Sequence, residues 1–421
     1  MKHSIIYFLI VLLFAACQND TDAPVPDLTW ELFEHPDAVY LHSDIIYNLE
    51  GIYNITNGAN DFGSISVAKV SYVINNNDTN WFVSVFCQAN VKYFICEGKQ
   101  LGDSVLLNGY WRNQTNTETG RARLTISPEN GADLILNNGT IEQDSVIIEG
   151  VYGFDNDIPE INIRFNYNRK LNNNIPFDIL AHRGGGRTSD LLPASENSVE
   201  LIRMASRFGA TGIEVDVRMT SDNVPILYHD ENINDRLTQK SGLVGEIKNY
   251  TYAQLSAFVR LKNGEMIPTL RQALDAVLHQ TPLKVIWLDI KYEGPLQQIR
   301  DLQQEYLQMS AVLGRDLEIY IGIPSEAVKN YFVKIPDYKD LPSLVELSVD
   351  DARSLEADVW APRWTEGLQN TLVMQMQSEN RKVYTWTLDV SGYAQQYISQ
   401  GNFNGILSNY PSMIAFYHYA R

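Results

Sequence analysis

Two carboxylates, Glu214 and Asp216, stand two apart in GIEVDV, and Asp289 and Lys291 repeat that spacing in LDIK. On a strand, side chains two apart point to one face. Carboxylates gathered on apolar strands are costly to bury without a cation. Histidines close two further apolar runs, His182 in FDILAH and His229 in VPILYH, and Arg183 follows the first. Three carboxylates suit one hard divalent cation, Ca2+ or Mg2+, held through oxygen. Cys and His are too few for a soft structural site. Arg183 and Lys291 can neutralise a phosphate. Two histidines can divide the proton work, one taking a proton from an attacking oxygen and one giving a proton to a leaving oxygen. Phosphoryl transfer asks for little beyond positioning and charge neutralisation. The chemistry these residues predict is cleavage of a phosphodiester at a metal site.

The loop after His182 adds three glycines, 184 to 186, which would let backbone approach a ligand closely. It then reaches Glu196 and Asn197. These two read both as caps of a helix starting at Ser198 and as support for the site, Glu196 on the substrate side. For Glu214 and Asp216 the structural alternative is ion pairing with Arg183 and Arg218. His35, His42, His279 and His418 lack comparable neighbours and read as structural or surface residues.

These groups need a frame that brings strand ends together. From Phe177 onward apolar runs alternate with helical ones. The runs are FDILAH, GIEVDV, VPILYH, LKVIWLDIK, LEIYIGI, LVELSV, ADVWAP, KVYTWTL and NGILSN. ENSVELIRMASRFG, TLRQALDAVLHQ, PLQQIRDLQQEYLQMSAVLG, TLVMQMQSEN and SGYAQQYISQG read as helices. The alternation predicts an α/β TIM-type (β/α)8 barrel over 177–421, with its site at the C-terminal ends of the strands. Nine runs are one too many, so one lies outside the barrel or is spurious. RMTSDN between GIEVDV and VPILYH is too short for a crossover helix, so one helix of the ring should be missing. Four strands are expected to converge on the mouth.

Before this body, 30–173 is rich in short β-like runs from GIYNIT to INIRFNY, ADLIL among them, separated by turns such as NNND, PENG and NNG. That pattern predicts a separate all-β domain, an antiparallel barrel or sandwich. EGIYNITNG and EGVYGFDND resemble the Gly-aromatic corners of lipocalin-like and avidin-like barrels. Its aromatics read as core and girdle, and no catalytic constellation is evident. Cys87 and Cys96 flank one hairpin, and the sequence leaves open whether they form a disulfide or two buried thiols. Asn172 to Pro176 reads as a linker, and the β domain as a spacer or a module for an unknown partner.

The net charge of −18 argues against a general nucleic-acid binder, though a bound metal can reverse the field locally. The chain starts MKHSIIYFLIVLLFAAC. Its apolar stretch is too short to span a bilayer, and FAAC resembles a bacterial lipobox. That resemblance implies a signal peptide over 1–16, lipid on Cys17, a tether over 17–29 and a membrane-anchored protein of the cell envelope. The alternative is an ordinary secretory signal.

From Phe177 to the end the chain resembles the glycerophosphodiester phosphodiesterases. AHRG, PASENS, GIEVDVRMTSDNVPILYHD, IPTLRQAL, LDIK, WTLD and GILSNYP carry the likeness, in the family's order. The resemblance implies a TIM barrel, one divalent cation, and hydrolysis to glycerol 3-phosphate and an alcohol. It implies that His182 and His229 are the acid/base pair, that Glu214, Asp216 and Asp289 bind the metal, and that Arg183 and Lys291 hold phosphate while Trp386 lines the site. A neighbouring substrate hydroxyl would attack first and water would open the resulting cyclic phosphate. Asp289 replaces the usual Glu, which moves the metal nearer that strand. Asn409 replaces an Asp, which removes a charge near the mouth and bears on substrate more than on reaction. Alternative substrates are a phospholipid, a phosphoinositol or a cell-envelope glycan phosphate. Outside enzymes, the alternative is a non-catalytic surface binding lipoprotein, against which the intact histidines and carboxylates speak.

Overall fold

The computed structural model describes residues 26–421 apart from 77, 90, 173 and 174. The expected leader, the lipobox at Cys17 and most of the tether lie outside the described residues. Residues 28 and 29, read as the end of the tether, lie on the first domain: Leu28 O accepts from Asn108 Nδ2 at 2.6 Å and Thr29 O from Arg123 at 2.8 Å.

That first domain is a closed antiparallel barrel. Its strands are β1 (Gly51–Asn57), β2 (Ile65–Asn75), β3 (Asp78–Cys87), β4 (Lys92–Leu101), β5 (Ser104–Asn113), β6 (Thr119–Ile126), β7 (Ile147–Tyr152) and β8 (Ile161–Arg169). Each pairs with the next, and β8 returns to β1, so among the described residues the eight strands close on themselves. The expected strand ADLIL is instead a helical turn, Ala132–Leu136. Gly131, at φ 87°, turns the chain after PEN, and Ala132 and Ile135 then share the buried side. That is a spacing of three, which belongs to a helix. The interior is filled by aromatics. Phe62 lies 4.6 Å from Phe94, 5.4 Å from Trp111 and 5.0 Å from Tyr152, ring centre to ring centre. Cys87 and Cys96 are buried free thiols. Val83 faces Cys96 across the ladder while Cys87 faces Ser66 on the other side. Cys87 is thus offset along the strand by roughly 13 Å, beyond disulfide reach.

The second domain is a closed parallel barrel with strands β9 (Asp178–Ala181), β10 (Gly212–Met219), β12 (Val285–Ile290), β13 (Glu318–Ile323), β14 (Ser343–Val345), β15 (Val359–Trp360), β16 (Lys382–Thr385) and β17 (Gly405–Ser408). The intervening β11 (Pro225–Leu227) pairs antiparallel with β10, so it is the run that lies outside the ring. RMTSDN folds the chain straight back, and helices Tyr252–Phe258 and Leu270–Gln280 lie between β11 and β12, so the ring keeps a helix at that point. Helices α1 (Val199–Met204), α2 (Tyr252–Phe258), α3 (Leu270–Gln280), α4 (Gln297–Val312), α5 (Glu326–Phe332), α6 (Val349–Ser354), α7 (Asn370–Ser378), α8 (Ser391–Gln400) and α9 (Pro411–Ala420) accompany the strands. Leu180, Val285, Trp287, Tyr320, Leu344, Val359, Tyr384 and Leu407 fill the barrel interior as one apolar cluster.

The two barrels share a continuous apolar core. Phe82, Phe86, Tyr93 and Tyr110 of the first join Phe208, Ala210 and Ala415 of the second in one cluster. Tyr93 and Phe208 lie 5.5 Å apart, and the Arg207 guanidinium lies 3.7 Å over Phe82. Helix α9, absent from the sequence expectation, lies at this junction. It is buried on nearly every side, so it carries no amphipathic stripe to read.

Candidate active site

The site residues stand one step beyond the barrel's apolar layer. Counting two along each strand from that layer leads from Leu180 to His182, from Trp287 to Asp289, from Tyr384 to Trp386 and from Leu407 to Asn409. Register places Asp216 of β10 directly beside Asp289 of β12. His229 follows the folded-back β11 rather than a barrel strand. The expected four converging strands are therefore three barrel strands and one hairpin.

Glu214, Asp216 and Asp289 each offer an oxygen within 4.8 Å of the others, and all three residues are buried. Glu214 Oε1, Asp216 Oδ1 and Asp289 Oδ1 have no hydrogen-bond partner. Buried all-oxygen donors without hydrogen bonds, on three carboxylates, fit a hard divalent cation. Burial, then Asp216 and Asp289, pushes Glu214 well above the usual carboxylate range. Burial also raises Asp289. Burial opposes the charge on Asp216, but Lys291, His229 and Arg183 outweigh it and hold that carboxyl low. Lys291 Nζ stands 2.6 Å from Asp289 and 3.4 Å from Asp216. Burial works against its charge, yet Asp289, Asp216 and Glu214 hold the ammonium protonated.

Asn197 braces the cluster. Its Nδ2 donates to Asp216 Oδ2 at 2.7 Å, and Asp216 N donates to its Oδ1 at 3.0 Å. It does not cap the helix, and neither does Glu196. Ser198 caps α1, accepting from Leu201 N at 3.0 Å. Glu196 is buried and accepts from Arg183 Nη1 at 2.6 Å, Thr188 N at 2.9 Å and Arg236 Nη1 at 3.3 Å. It organises arginines rather than facing the mouth. Arg183 has a left-handed backbone, φ 53°, which aims its N–H at Glu214 Oε2, 2.8 Å away. Its Nε lies 3.8 Å from Asp216, so it stands as a fixed positive charge beside the carboxylates. Arg218 turns away to His229 O, at 2.8 and 3.0 Å. Gly184 and Gly185 pack closely against α1. A Cβ on Gly184 would strike Ile202 at 2.9 Å and one on Gly185 would strike Leu201 at 2.6 Å. They let the loop lie on α1.

Each histidine is held through Nδ1. His182 Nδ1 lies 2.8 Å from Asn409 Oδ1. Asp389 accepts from Asn409 N at 2.8 Å and from its Nδ2 at 2.6 Å. A carboxylate only accepts, so the Asn409 amide is oriented with Oδ1 toward His182, whose Nδ1 must carry the proton. Nε2 of neutral His182 is then a free base, 3.7 Å from Glu214. Burial, with Arg183 next, pulls His182 down to about 4. Asn409 thus contacts the histidine directly, where its place near the mouth had suggested a bearing on substrate more than on reaction. His229 Nδ1 lies 2.7 Å from Asp230 Oδ1. Burial opposes the Asp230 charge, but hydrogen bonds from Arg236, His229 and Asn234 hold its carboxyl far below the usual range. The ionised partner makes Nδ1 the donor.

Trp386 is half-buried, donates from Nε1 to Ala361 O at 2.8 Å, and carries the Arg363 guanidinium 4.7 Å over its ring. Glu346 escaped the sequence reading. It lies two residues beyond Leu344 of the interior layer, so the alternation that exposed the other groups points to it as well. Its Oε1 is buried without a partner. Burial, then Asp289, pushes it well above the usual carboxylate range.

Residues 182–413, more than half of the chain, match the model of the glycerophosphoryl diester phosphodiesterase family. Glycerophosphodiester phosphodiesterase 1 of Rattus norvegicus is 35% identical over 138 residues, which are 31% of this chain and 39% of the relative. The Homo sapiens protein of that name is 38% identical over 120 residues, 27% of this chain and 33% of the relative. The chain therefore spans well under half the length of these curated relatives. A crystal structure of a glycerophosphodiester phosphodiesterase from Parabacteroides distasonis aligns with 57% of this chain and 95% of its own, at 22% identity and TM-score 0.44.

Proposed function

Since the chain belongs to the glycerophosphoryl diester phosphodiesterase family, we propose that it hydrolyses glycerophosphodiesters to glycerol 3-phosphate and an alcohol at the mouth of its second barrel. One observation carries the reading. Oxygens of Glu214, Asp216 and Asp289 that make no hydrogen bond lie beside a histidine, His182, that Asn409 holds with a free Nε2. Those carboxylates would hold one divalent cation, Ca2+ or Mg2+, which when bound supplies charge neutralisation for the phosphoryl oxygens.

The chain's own residues do the rest. Lys291 and Arg183 add fixed positive charge for the phosphate. His182 Nε2 takes the proton of a neighbouring substrate hydroxyl as that oxygen bonds to phosphorus. His229 Nε2 gives a proton to the alcohol oxygen as its bond to phosphorus breaks. Asp230 stabilises the positive charge His229 carries before that transfer. In the second step the roles reverse, and water opens the cyclic phosphate. Trp386 offers an apolar wall for the glycerol.

The test is release of glycerol 3-phosphate from glycerophosphocholine and glycerophosphoethanolamine by the form lacking residues 1–17. It is run with Ca2+, with Mg2+ and with chelator. Cation-dependent release is expected. A folded protein that releases none with either cation would overturn the reading. The same reading anchors the chain in the cell envelope through lipid on Cys17. Labelled palmitate should enter the full chain and be lost in Cys17→Ala; equal labelling of both would remove the anchor.

A further inference from the structure

A buried polar contact between the two barrels leads towards the mouth of the second. Gln114 sits in the turn between β5 and β6, and its side chain is wholly buried. Its Nε2 donates to Asn409 O at 3.1 Å, and its Oε1 accepts from Ser412 Oγ at 2.7 Å. A carbonyl only accepts, so the amide orientation is fixed and the Ser412 hydroxyl must be the donor. Asn409 is the residue whose side chain receives His182 Nδ1. Beside Gln114, the buried Arg112 guanidinium reaches Asp190 O at 3.4 Å and also Leu191 O. Asp190 in turn holds Arg187 through two contacts of 3.0 Å. Gly186, at φ 145°, makes room for this arrangement. A Cβ there would stand 2.7 Å from Leu192 and 3.2 Å from Asn409 O.

We propose that Gln114 is a positioning residue of the second barrel's site: it fixes the Asn409 backbone and, through Asn409, the His182 ring. The first barrel is then a working part of the catalytic apparatus rather than a spacer or a free module. The inference rests on the proposed acid/base role of His182. Asn409 is held on two sides, by Asp389 within its own barrel and by Gln114 from the other. Neither apolar packing at the interface nor a polar contact elsewhere in it would constrain that one peptide. A positioned base tolerates little displacement, since a shift on the order of 1 Å can cost roughly a hundredfold in rate.

Gln114→Met keeps the volume and removes both hydrogen bonds. Ser412→Ala removes only the group that orients the Gln114 amide. Arg169→Ala is the control for docking. Arg169 bridges the barrels through Ala420 O at 2.7 Å but does not touch Asn409. Steady-state kinetics and thermal unfolding are measured on all three in the form lacking residues 1–17. The 15N signal of His182 Nδ1 is followed in histidine-labelled protein and assigned by its loss in His182→Ala.

Gln114→Met should lower kcat about tenfold with KM within about twofold, and it should shift the Nδ1 signal. Ser412→Ala should do the same to a smaller degree, and it decides the matter if Gln114→Met does not fold. Arg169→Ala should lose thermal stability at full kcat. A Gln114→Met enzyme with kcat within about twofold of wild type, or a loss matched by Arg169→Ala at equal destabilisation, would overturn the proposal. If the wild-type protein hydrolyses nothing, the functional reading fails by itself. The Nδ1 signal still decides the positioning, because an unshifted signal in Gln114→Met would mean that Gln114 does not hold His182.

Discussion

His182 and Asn409 are joined by a 2.8 Å contact from Nδ1 to Oδ1, and Asp389 takes both N–H groups of that asparagine. The order Asp389, Asn409, His182 fixes which ring nitrogen carries the proton. Asp389→Asn puts an NH2 group where only acceptors stand now, so the Asn409 amide must turn or shift. Kinetics should show kcat lowered roughly ten- to a hundredfold with KM little changed. A raised KM at full kcat would instead assign Asp389 to substrate binding.

The three proposed cation ligands can be separated from Glu346, a further buried carboxylate. Glu214, Asp216 and Asp289 meet within 4.8 Å, and Glu346 is not among them. Calorimetric titration should find cation affinity weakened at least about tenfold in Asp289→Asn and changed less than about threefold in Glu346→Gln. Equal losses would make Glu346 a ligand.

Stability should fall in acid partly through His418. Its ring stacks on Phe177 at 4.8 Å, and burial, with Arg421 and Lys69, pulls it from 6.5 to about 4. A base whose folded value is depressed stabilises the fold fully above its unfolded value, and that contribution is lost as pH falls from 6.5 towards 4. On the order of 3 kcal/mol is involved. Urea unfolding from pH 7 to pH 4 should show a smaller loss in His418→Gln than in wild type. The buried His182 acts in the same direction in both proteins. Equal slopes would exclude His418 as a source.

Much of the second barrel was legible because its signals are local. A spacing of two on a strand is enough to pair Glu214 with Asp216 and Asp289 with Lys291, and the structure gathers these groups at one mouth. The same rule applied to Leu344 would have found Glu346. What was not legible depends on distance or on surroundings. A six-residue link forbids a crossover, yet it took the structure to show that β11 folds back and that His229 comes from a hairpin. Helix α9 has no polar face because the other barrel covers it. The run ADLIL has strand-like composition, and only its burial at a spacing of three reveals a turn of helix. Gln114 and Asn409 are 295 residues apart, and no local pattern could join them.

The two thiols of the first barrel should behave as separate buried groups. Cys87 and Cys96 face different partners along the ladder. The form lacking residues 1–17 should give two thiols by titration after unfolding and almost none before it. Its thermal midpoint should be the same with and without reductant. A midpoint lowered by reductant would indicate a disulfide.

The most direct measurement compares glycerophosphodiester turnover by wild type and His182→Ala at saturating cation, each shown to be folded by its thermal midpoint. With His182 as the base, the substitution should lower kcat by about a hundredfold or more while cation affinity stays within about threefold. A His182→Ala enzyme with kcat within about threefold of wild type would contradict a base at that position, and with it the chemistry assigned to the mouth.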